Sequence, residues 1–335
     1  MPASLRDVAE RAGVSVKTVS NVVNGYLHVS TTTRARVQAA LDELNYRPNL
    51  SARNLRNRRS GIVALALPEL DLPYFAELTR CVIKAAEARS WTVLIDQTDG
   101  LPERESVVLQ GIRDQLIDGL IFSPLAASRE EITARRDDTP MVLLGELVAE
   151  GSADHVAIDN VLAARQATEH LIGLGRRRIA AIGAQAGGEL GTAPVRLAGY
   201  RRALRGAGLP FDGSLVMPAS SYHRADGAQA MRQLLDAADP PDAVFCFTDL
   251  LALGAMRTLL SHGVRVPEDV AVVGFDDIED GRFSTPTLTT IAPDKDELAR
   301  VAVELLASRI AGEPRSPSRE MQVRHQLIVR ESTAG

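Results

Sequence analysis

Four side chains near the start of the chain have the types and spacing to contact the edges of nucleic-acid bases. They stand at i, i+1, i+4 and i+5 and are Val16, Lys17, Ser20 and Asn21. In a helix this spacing places them together on one face. A helix that enters a DNA groove presents such a face to the bases. The spacing therefore predicts a surface that reads DNA.

Residues 4–24 have the pattern of two short helices joined by a tight turn. Ala9 is a small residue where the two backbones approach, Gly13 suits a turn with positive φ, and Ser15 can cap the second helix. Apolar residues at helical spacing predict the inner face, namely Val8, Ala12, Val14, Val19 and Val22. These residues alone leave two interpretations open, a structural helical hairpin and a DNA-binding helix-turn-helix.

A third helix and a basic linker follow the first two helices. Ser30 is the predicted N-cap, and the helix is expected to end at 45–48. Its apolar positions are Val37, Ala40, Leu41 and Leu44. Residues 49–61 are basic and too short and polar to form a core of their own. We expect this linker to become ordered on DNA.

Charge is divided unevenly along the chain. Residues 1–60 contain ten Lys and Arg and four Asp and Glu, a net charge of +6, whereas the whole chain carries −5. Residues 61–335 therefore carry −11. A cationic module on an acidic body favours phosphate binding without general attraction to polyanions.

From residue 61 onward, short apolar runs alternate with helical patterns. The predicted strands are 62–67, 92–96, 120–122, 141–144, 156–158, 179–182, 243–247 and 270–274. The predicted helices include 74–89, 103–115, 160–174, 195–207, 225–235 and 249–261. Such alternation predicts parallel sheets covered by helices on both faces, and about 275 residues are too many for one such core. We therefore expect two doubly wound α/β lobes.

The composition does not support export, membrane insertion or metal binding. The sequence has no N-terminal apolar h-region and no apolar run near 18 residues, so the protein is expected to be cytoplasmic. Cys81 and Cys246 are expected to be reduced and buried, and the six His residues lack metal-ligand spacing. We expect neither a metal nor a cofactor.

The sequence also lacks common enzyme motifs. None of the three lysines follows a glycine, which excludes a phosphate loop of the Walker A type. The Gly-rich segment 183–191 lacks the dinucleotide-binding spacing and is interpreted as a loop of a ligand cleft. Asp276 and Asp277 have no evident catalytic partner, so ligand anchoring is favoured over acid/base chemistry. We expect that the protein is not an enzyme.

Segments spread over the whole chain resemble the lac repressor (LacI/GalR) family of transcription regulators. They are 5–24, 28–30, 45–49 and 52–56 near the N-terminus, and 73–75, 156–160, 196–200, 248–255, 272–277 and 288–291 in the body. The resemblance implies an all-α helix-turn-helix headpiece (1–48) and a hinge helix or linker (49–60). It implies an α/β core (61–335) of two doubly wound parallel-sheet lobes, similar to type I periplasmic binding proteins.

The resemblance further implies that the chain crosses three times between the lobes, with ligand held in the cleft. We expect the crossings near Asn160, Ile291 and Arg315. Lobe 1 then comprises about 61–159 and 292–315, and lobe 2 about 160–291 and 316–330. The last strand, 320–329, is expected to belong to lobe 2.

The family pattern also assigns roles at the DNA interface. It places Val16, Lys17 and Asn21 at base edges, although a phosphate contact by Lys17 remains an alternative. The residues expected near phosphates are Ser15, Thr18, Asn24, Ser30, Thr33 and Arg34. In the hinge, Leu55 matches a minor-groove wedge and Ala52 its small neighbour, which implies two hinges side by side. We therefore expect a homodimer on a pseudo-palindromic operator.

The same pattern places a small-molecule effector in the cleft. Its main expected contacts are Tyr74, Phe75, Arg196 and Asp276, with Asp159, Thr192, Tyr222 and Asp249 as weaker candidates. Aromatic faces, an arginine and a carboxylate suit a sugar. Three positions depart from the family, each losing a potential partner for a sugar hydroxyl, namely Leu72 and Thr248 where Asn is common and the pair Ala292-Pro293 where a polar pair is common. A nucleobase, a modified sugar or a more apolar molecule therefore remains open.

These observations together predict a transcriptional regulator. We expect a dimeric repressor whose affinity for the operator is lowered by a sugar in the cleft. One alternative is a corepressor-dependent regulator that senses a nucleobase or another non-sugar metabolite. More distant alternatives are a cytoplasmic solute-binding protein and an enzyme that uses the acidic cleft.

Overall fold

A computed structural model describes residues 3–23, 26, 28–46, 59–111, 116–145, 153–185, 191–314 and 317–334. The chain divides into two compact units, residues 1–60 and residues 61–335. We describe each unit by itself. Within the described ranges, no helix combines the length and apolarity needed to cross a lipid bilayer.

The first unit contains three helices around a small apolar core. They are α1 (Leu5–Ala12), α2 (Val16–Val23) and α3 (Thr31–Glu43). Gly13 ends α1 in the left-handed conformation with φ 61°, and Ser30 caps α3 by accepting the amide N–H of Thr33. The core comprises Val8, Ala9, Ala12, Val19, Val22, Val37 and Ala40. The predicted helix-turn-helix is confirmed, with its apolar face directed inward.

Lobe 1 of the second unit is a parallel sheet. Its strands are β1 (Ile62–Leu67), β2 (Thr92–Gln97), β3 (Gly119–Phe122), β4 (Met141–Leu144), β5 (Asp154–Ala157) and β11 (Glu320–Gln322). They are ordered β11-β5-β4-β3-β1-β2. The helices between β1 and β5 are α4 (Pro73–Glu87), α5 (Pro102–Leu109) and α6 (Arg129–Thr133). Proline opens α4 and α5, where its missing N–H costs no helical hydrogen bond.

Lobe 2 has a second six-stranded sheet. Its strands are β6 (Ile179–Ala184), β7 (Val216–Pro218), β8 (Ala243–Cys246), β9 (Ala271–Phe275), β10 (Thr289–Pro293) and β12 (His325–Ile328). They are ordered β12-β10-β9-β8-β6-β7, and β12 alone runs antiparallel to its neighbour. The helices are α7 (Asn160–Gly173), α8 (Thr192–Gly206), α9 (Arg224–Leu235), α10 (Asp249–Ser261) and α11 (Glu279–Arg282). A 3-10 helix covers Gly213–Leu215.

Two glycines allow the backbones of α9 and α10 to pack directly against each other. A Cβ atom at Gly254 would lie 1.9 Å from the carbonyl oxygen of Arg224. A Cβ atom at Gly227 would lie 2.1 Å from the carbonyl oxygen of Leu251. Neither position accommodates a side chain without movement of the backbone.

The chain passes between the lobes at 158–160, at 293–295 and at 322–325. The first two passages agree with the crossings expected near Asn160 and Ile291, since β10 ends in lobe 2 and α12 (Lys295–Ile310) packs on lobe 1. The crossing expected near Arg315 is wrong, and Arg315 itself lies outside the described residues. The two strands β11 and β12 flank the third passage.

The expected single strand 320–329 is therefore two strands in different lobes. β11 pairs in parallel with β5, and β12 pairs antiparallel with β10. Val323 still donates to the carbonyl of Ala157 in lobe 1, and the carbonyl of Arg324 accepts the N–H of Asp294 at the second crossing. Residues 320–329 read as one continuous strand in the sequence. They form two strands because β11 pairs with a strand of lobe 1 and β12 with a strand of lobe 2.

A buried ion cluster fixes the chain just before β11. Asp154 is 1% exposed and accepts both Nε and Nη2 of Arg309, at 2.9 and 2.5 Å. It also accepts the amide of Arg319 at 2.8 Å and Nη2 of Arg319 at 2.9 Å. Arg309 in addition donates to the carbonyl of Pro317 at 3.1 Å. One carboxylate thus joins β5, α12 and the segment that enters β11.

Candidate functional site

The outer face of α2 carries the side chains predicted to read DNA. Val16 is 44% exposed, Lys17 is exposed and Asn21 is half-buried, whereas Val19 and Val22 on the opposite face lie in the core. The helix starts where predicted because Ser15 Oγ accepts the amide N–H of Thr18 at 3.1 Å. The local cap therefore sets which side chains face away from the protein.

Several residues predicted near phosphates also form hydrogen bonds within the first unit. The hydroxyls of Ser15 and Thr18 lie 2.8 Å apart, and Ser30 Oγ donates to Thr33 Oγ1 at 2.9 Å. Arg34 Nη2 donates to the carbonyl of Tyr26 at 2.6 Å. These residues thus order the loops beside α2 and α3. Asn24, Ala52 and Leu55 lie outside the described residues.

Sequence reasoning missed Arg36, which fastens the turn between α1 and α2. Its Nη2 donates to the carbonyls of Ala12 and Gly13 at 3.0 and 3.2 Å. These carbonyls end α1 and have no helical donor. Spacing gave no signal for this contact, because Arg36 is 23 residues from Gly13.

In the second unit, Arg196 of α8 is held rigidly between elements of lobe 2. Only 7% of the residue is exposed. Its Nε donates to Asn160 Oδ1 at 2.8 Å, and Nη1 donates to the carbonyl of Phe247. Its guanidinium carbon lies 3.5 Å from the centroid of the Phe275 ring. This stacking leaves the remaining N–H groups in a fixed plane, as bidentate recognition requires.

Tyr222 and Thr192 lie beside this arginine. The Tyr222 hydroxyl donates to the carbonyl of Gly183 at 3.0 Å, and the two side chains are hydrogen-bonded to each other. Burial raises the pKa of Tyr222, while the nearby charge of Arg196 opposes that rise. Gly183 has φ 125°, and a Cβ there would meet the Phe247 side chain at 2.6 Å. The rest of the predicted cleft loop, residues 186–190, lies outside the described part of the chain.

Asp276 has a backbone and a charge state typical of a functional carboxylate. Its φ is 117°, a region that few non-glycine residues adopt. Burial raises the pKa of Asp276 to about 7, against the lowering effects of Arg196 and Lys295, and Glu77 adds to the rise. This carboxyl group can therefore accept or donate a hydrogen bond near neutral pH.

The two weaker acidic candidates use their carboxylates to hold the protein together. Asp249 is fully buried, accepting the hydroxyl of Thr290 at 2.6 Å and the amide of Ile278 at 2.9 Å. Burial, followed by the charge of Asp276, raises the pKa of Asp249 well above its usual value. Asp159 caps α7 by accepting the amide of Leu162 at 2.8 Å. These contacts favour structural roles for both residues.

The aromatic pair occupies the first turn of α4 in lobe 1. Tyr74 and Phe75 are half-buried, and their ring centroids lie 5.3 Å apart in an edge-to-face arrangement. The ammonium of Lys295 lies 5.7 Å from the centroid of Tyr74, and it also donates to the carbonyl of Asp276 at 2.7 Å. Lys295 thus connects the lobe 1 aromatics to the backbone of Asp276 in lobe 2. Sequence reasoning missed this residue.

Neither cysteine is paired or placed for reaction. Cys81 is half-buried, Cys246 is buried, and burial raises the pKa of both thiols. In the part of the chain that the structure describes, no three His, Cys, Asp or Glu side chains are grouped to hold a metal ion.

The raised pKa of Asp276 predicts a pH dependence of core stability. Because the folded protein binds this proton more tightly than the unfolded chain does, its contribution is fully present below the unfolded pKa of about 4 and is lost as pH rises through about 7. We expect Asp276→Asn to gain stability relative to the wild type over this window, by on the order of a few kcal/mol. Urea unfolding of both proteins from pH 4.5 to 8 measures the difference. Parallel stability curves would show that the carboxyl is not protonated in the folded state.

Comparisons with known proteins agree with both units. Residues 4–49 match the family model described as bacterial regulatory proteins, lacI family, and residues 168–333 match a periplasmic binding protein-like domain. The chain is 35% identical to the ribose operon repressor of Escherichia coli (strain K12), over 98% of this chain and 99% of that protein. It is 36% identical to the transcriptional repressor CytR of the same organism, over 99% and 96% of the two chains.

A solved structure matches the chain over its full length. The lac repressor dimer bound to operator and the anti-inducer ONPF has a TM-score of 0.87 and 28% identity, covering 100% of both chains. The fold and the exposed face of α2 define a helix-turn-helix DNA-binding protein with a ligand-binding core of the periplasmic-binding type. The chain belongs to the lacI family of bacterial regulatory proteins and is a DNA-binding transcriptional repressor.

Proposed function

We propose that this repressor binds a pseudo-palindromic operator as a homodimer and releases it when a sugar occupies the cleft between the lobes. The observation that carries the proposal is the rigid pair of Arg196 and Asp276, one stacked on Phe275 and the other in a positive-φ loop. An arginine fork and a carboxyl group can each bind two neighbouring hydroxyls. The aromatic rings of Tyr74 and Phe75 supply an apolar face for the sugar ring.

The proposed effector contacts come mainly from lobe 2. Arg196, Tyr222, Thr192 and Asp276 are close in lobe 2, and Tyr74 reaches the same region through Lys295. The name of the ribose operon repressor supports a sugar as effector. A thermal-shift screen of the full chain with pentoses, hexoses, nucleosides and nucleobases tests this choice, because a ligand that binds the folded state raises its melting temperature. Stabilisation by nucleobases alone would favour the corepressor alternative.

At the DNA interface, Val16, Lys17 and Asn21 are the proposed base-reading residues. The exposed, capped start of α2 supports this role. Ala52 and Leu55 are proposed to enter the minor groove from the hinge, where a leucine wedge requires kinked DNA and a second copy beside it.

Lys17→Ala is expected to weaken binding to the operator by about 1–3 kcal/mol and to relax the preference at one base pair. The reason is that its ammonium can donate to the acceptors on guanine in the major groove. Fluorescence anisotropy with a set of single-base operator variants measures both effects, with Lys84→Ala in α4 as a control. If Lys17 contacts only phosphate, the loss will be equal for every sequence and the salt dependence will decrease.

An exposed apolar surface on lobe 2 supports dimerisation. Phe283 is 80% exposed directly after α11, and Leu260 of α10 is 43% exposed. An ion pair of 2.5 Å between Arg224 and Asp280 joins α9 to α11, the helix that Phe283 follows. The structural relative bound to operator is itself a dimer.

We expect Phe283→Ser to raise the dissociation constant of the dimer by roughly tenfold or more, since burying a phenylalanine contributes about 1.5–3 kcal/mol. Sedimentation equilibrium measures the constant. Val107→Ser in lobe 1 is the matched control, because Val107 is also an exposed apolar residue. An unchanged constant in Phe283→Ser would place the interface elsewhere.

A further inference from the structure

Lys295 lies where the chain has just passed from lobe 2 to lobe 1. It is the first residue of α12, and its side chain is 10% exposed. The ammonium donates to Glu77 Oε2 at 2.5 Å and to the carbonyls of Asp276 and Asp277 at 2.7 and 3.1 Å. All three of its N–H donors therefore have acceptors, one in lobe 1 and two in lobe 2.

Glu77 makes a second connection between the same two parts of the molecule. It belongs to α4 of lobe 1, and its Oε1 accepts the amide N–H of Glu279, the first residue of α11, at 3.0 Å. Lys295 and Glu77 thus hold the lobe 2 segment 276–279 against lobe 1 at both ends. We name this pair and its contacts the interlobe latch.

The latched segment is strained and carries the proposed effector carboxylate. Asp276 and Asp277 have φ of 117° and 49°, conformations that non-glycine residues rarely adopt and that persist only when their surroundings fix them. From lobe 2, Asp277 is fixed by Arg282 and Arg330, each at 2.6 Å. From lobe 1, Lys295 binds both carbonyls.

We infer that the interlobe latch is the contact that sets the separation of the lobes and positions Asp276 in the cleft. Lys295 and Glu77 are positioning residues that act through the backbone of 276–279. The part of this inference that concerns Asp276 rests on the proposed function. The part that concerns the separation of the lobes does not, because it can be tested without effector or DNA. A ligand that moves Asp276 therefore changes the contacts of lobe 1 directly.

Pulsed electron-electron resonance on the ligand-free full chain tests the latch. Spin labels are attached at Val107→Cys in α5 of lobe 1 and Leu174→Cys directly after α7 of lobe 2, both exposed positions away from the proposed dimer surface, after Cys81→Ser and Cys246→Ala. We expect Lys295→Met to increase the ratio of a longer-distance population to the latched one by about tenfold or more, because hydrogen bonds to a charged group contribute about 1.5–3 kcal/mol. Lys295→Arg, which keeps the charge, is expected to restore most of the latched population.

Arg178→Met is the matched control, since it removes a lobe 2 cation whose ion pairs, with Asp212 and Asp239, lie within lobe 2. Its distance distribution is expected to match that of the parent. Glu77→Ala removes the latch from the lobe 1 side and keeps the test decisive if Lys295→Met does not fold. Distributions of Lys295→Met or Glu77→Ala equal to that of the parent would overturn the inference. Because no DNA or sugar is present, that result would leave the proposed function standing.

Discussion

Arg196→Met is expected to abolish effector binding while operator binding persists. The guanidinium is fixed by Asn160, by the carbonyl of Phe247 and by the face of Phe275. Methionine fills a similar volume but supplies no N–H donor, and it removes the cation that lowers the pKa of Asp276. Both proposed polar contacts with the sugar are affected at once. Losing a charged, bidentate contact in a buried site costs enough to weaken binding by more than roughly a hundredfold.

The measurement is isothermal titration with whichever sugar or nucleoside stabilises the wild type in the thermal-shift screen. Arg202→Met, at an exposed position on the same helix, is the control and is expected to bind that ligand normally. Arg196→Lys is expected to remain defective, because lysine lacks the planar fork that stacks on Phe275. Normal binding by Arg196→Met would show that the effector lies elsewhere.

The largest loss of stability is expected for Asp154→Asn. The substitution preserves shape but removes the charge that faces Arg309 and Arg319 inside lobe 1. Breaking a buried ion pair by neutralising one partner typically costs about 3–5 kcal/mol, here because the guanidinium of Arg309 stays buried without Asp154 to compensate it. The segment that enters β11 is held by this carboxylate, so its pairing with β5 weakens as well. Urea denaturation of the full chain measures the change.

A matched substitution at an exposed ion pair distinguishes the stability cost of the buried Asp154 cluster from the cost of losing an ion pair in general. Glu304→Gln removes the nearer of the two acidic partners of Arg300 on α12, and the side chains of Glu304 and Arg300 are both about half exposed. Its expected cost is below about 1 kcal/mol. Equal losses in Asp154→Asn and Glu304→Gln would contradict the structural role given to Asp154.

The first unit was predictable because its signals are local. Gly13 requires a left-handed turn, and Ser15 and Ser30 cap the helices that follow them within three residues. Local signals also predict most strands and helices of the second unit. The strands β1 and β4 and the helix α10 start and end at the predicted residues. Local patterns thus specify the elements and the fold class.

Contacts between distant residues were not predictable in this way. The third crossing was misplaced because β11 and β12 form one continuous pattern, which only their pairing with β5 and β10 divides. The predicted strands likewise omit β7, which has only three residues, and β10. Lys295 and Glu77 are separated by 218 residues, so no spacing rule joins them. The family pattern ranked Asp276 above Asp249 as an effector contact, but no spacing rule gave the bonds of Asp249 to Thr290 and Ile278 that favour a structural role for it.

The central claim is that one molecule couples operator binding to a ligand in the cleft. Fluorescence anisotropy of the full chain on its own upstream DNA, over a series of salt concentrations and with each stabilising sugar, tests it most directly. We expect sequence-specific binding whose affinity falls steeply with salt, and a further loss of about 5- to 150-fold when the sugar is present. Absence of sequence preference at every salt concentration, or a ligand that stabilises the core without changing operator affinity, would contradict the claim.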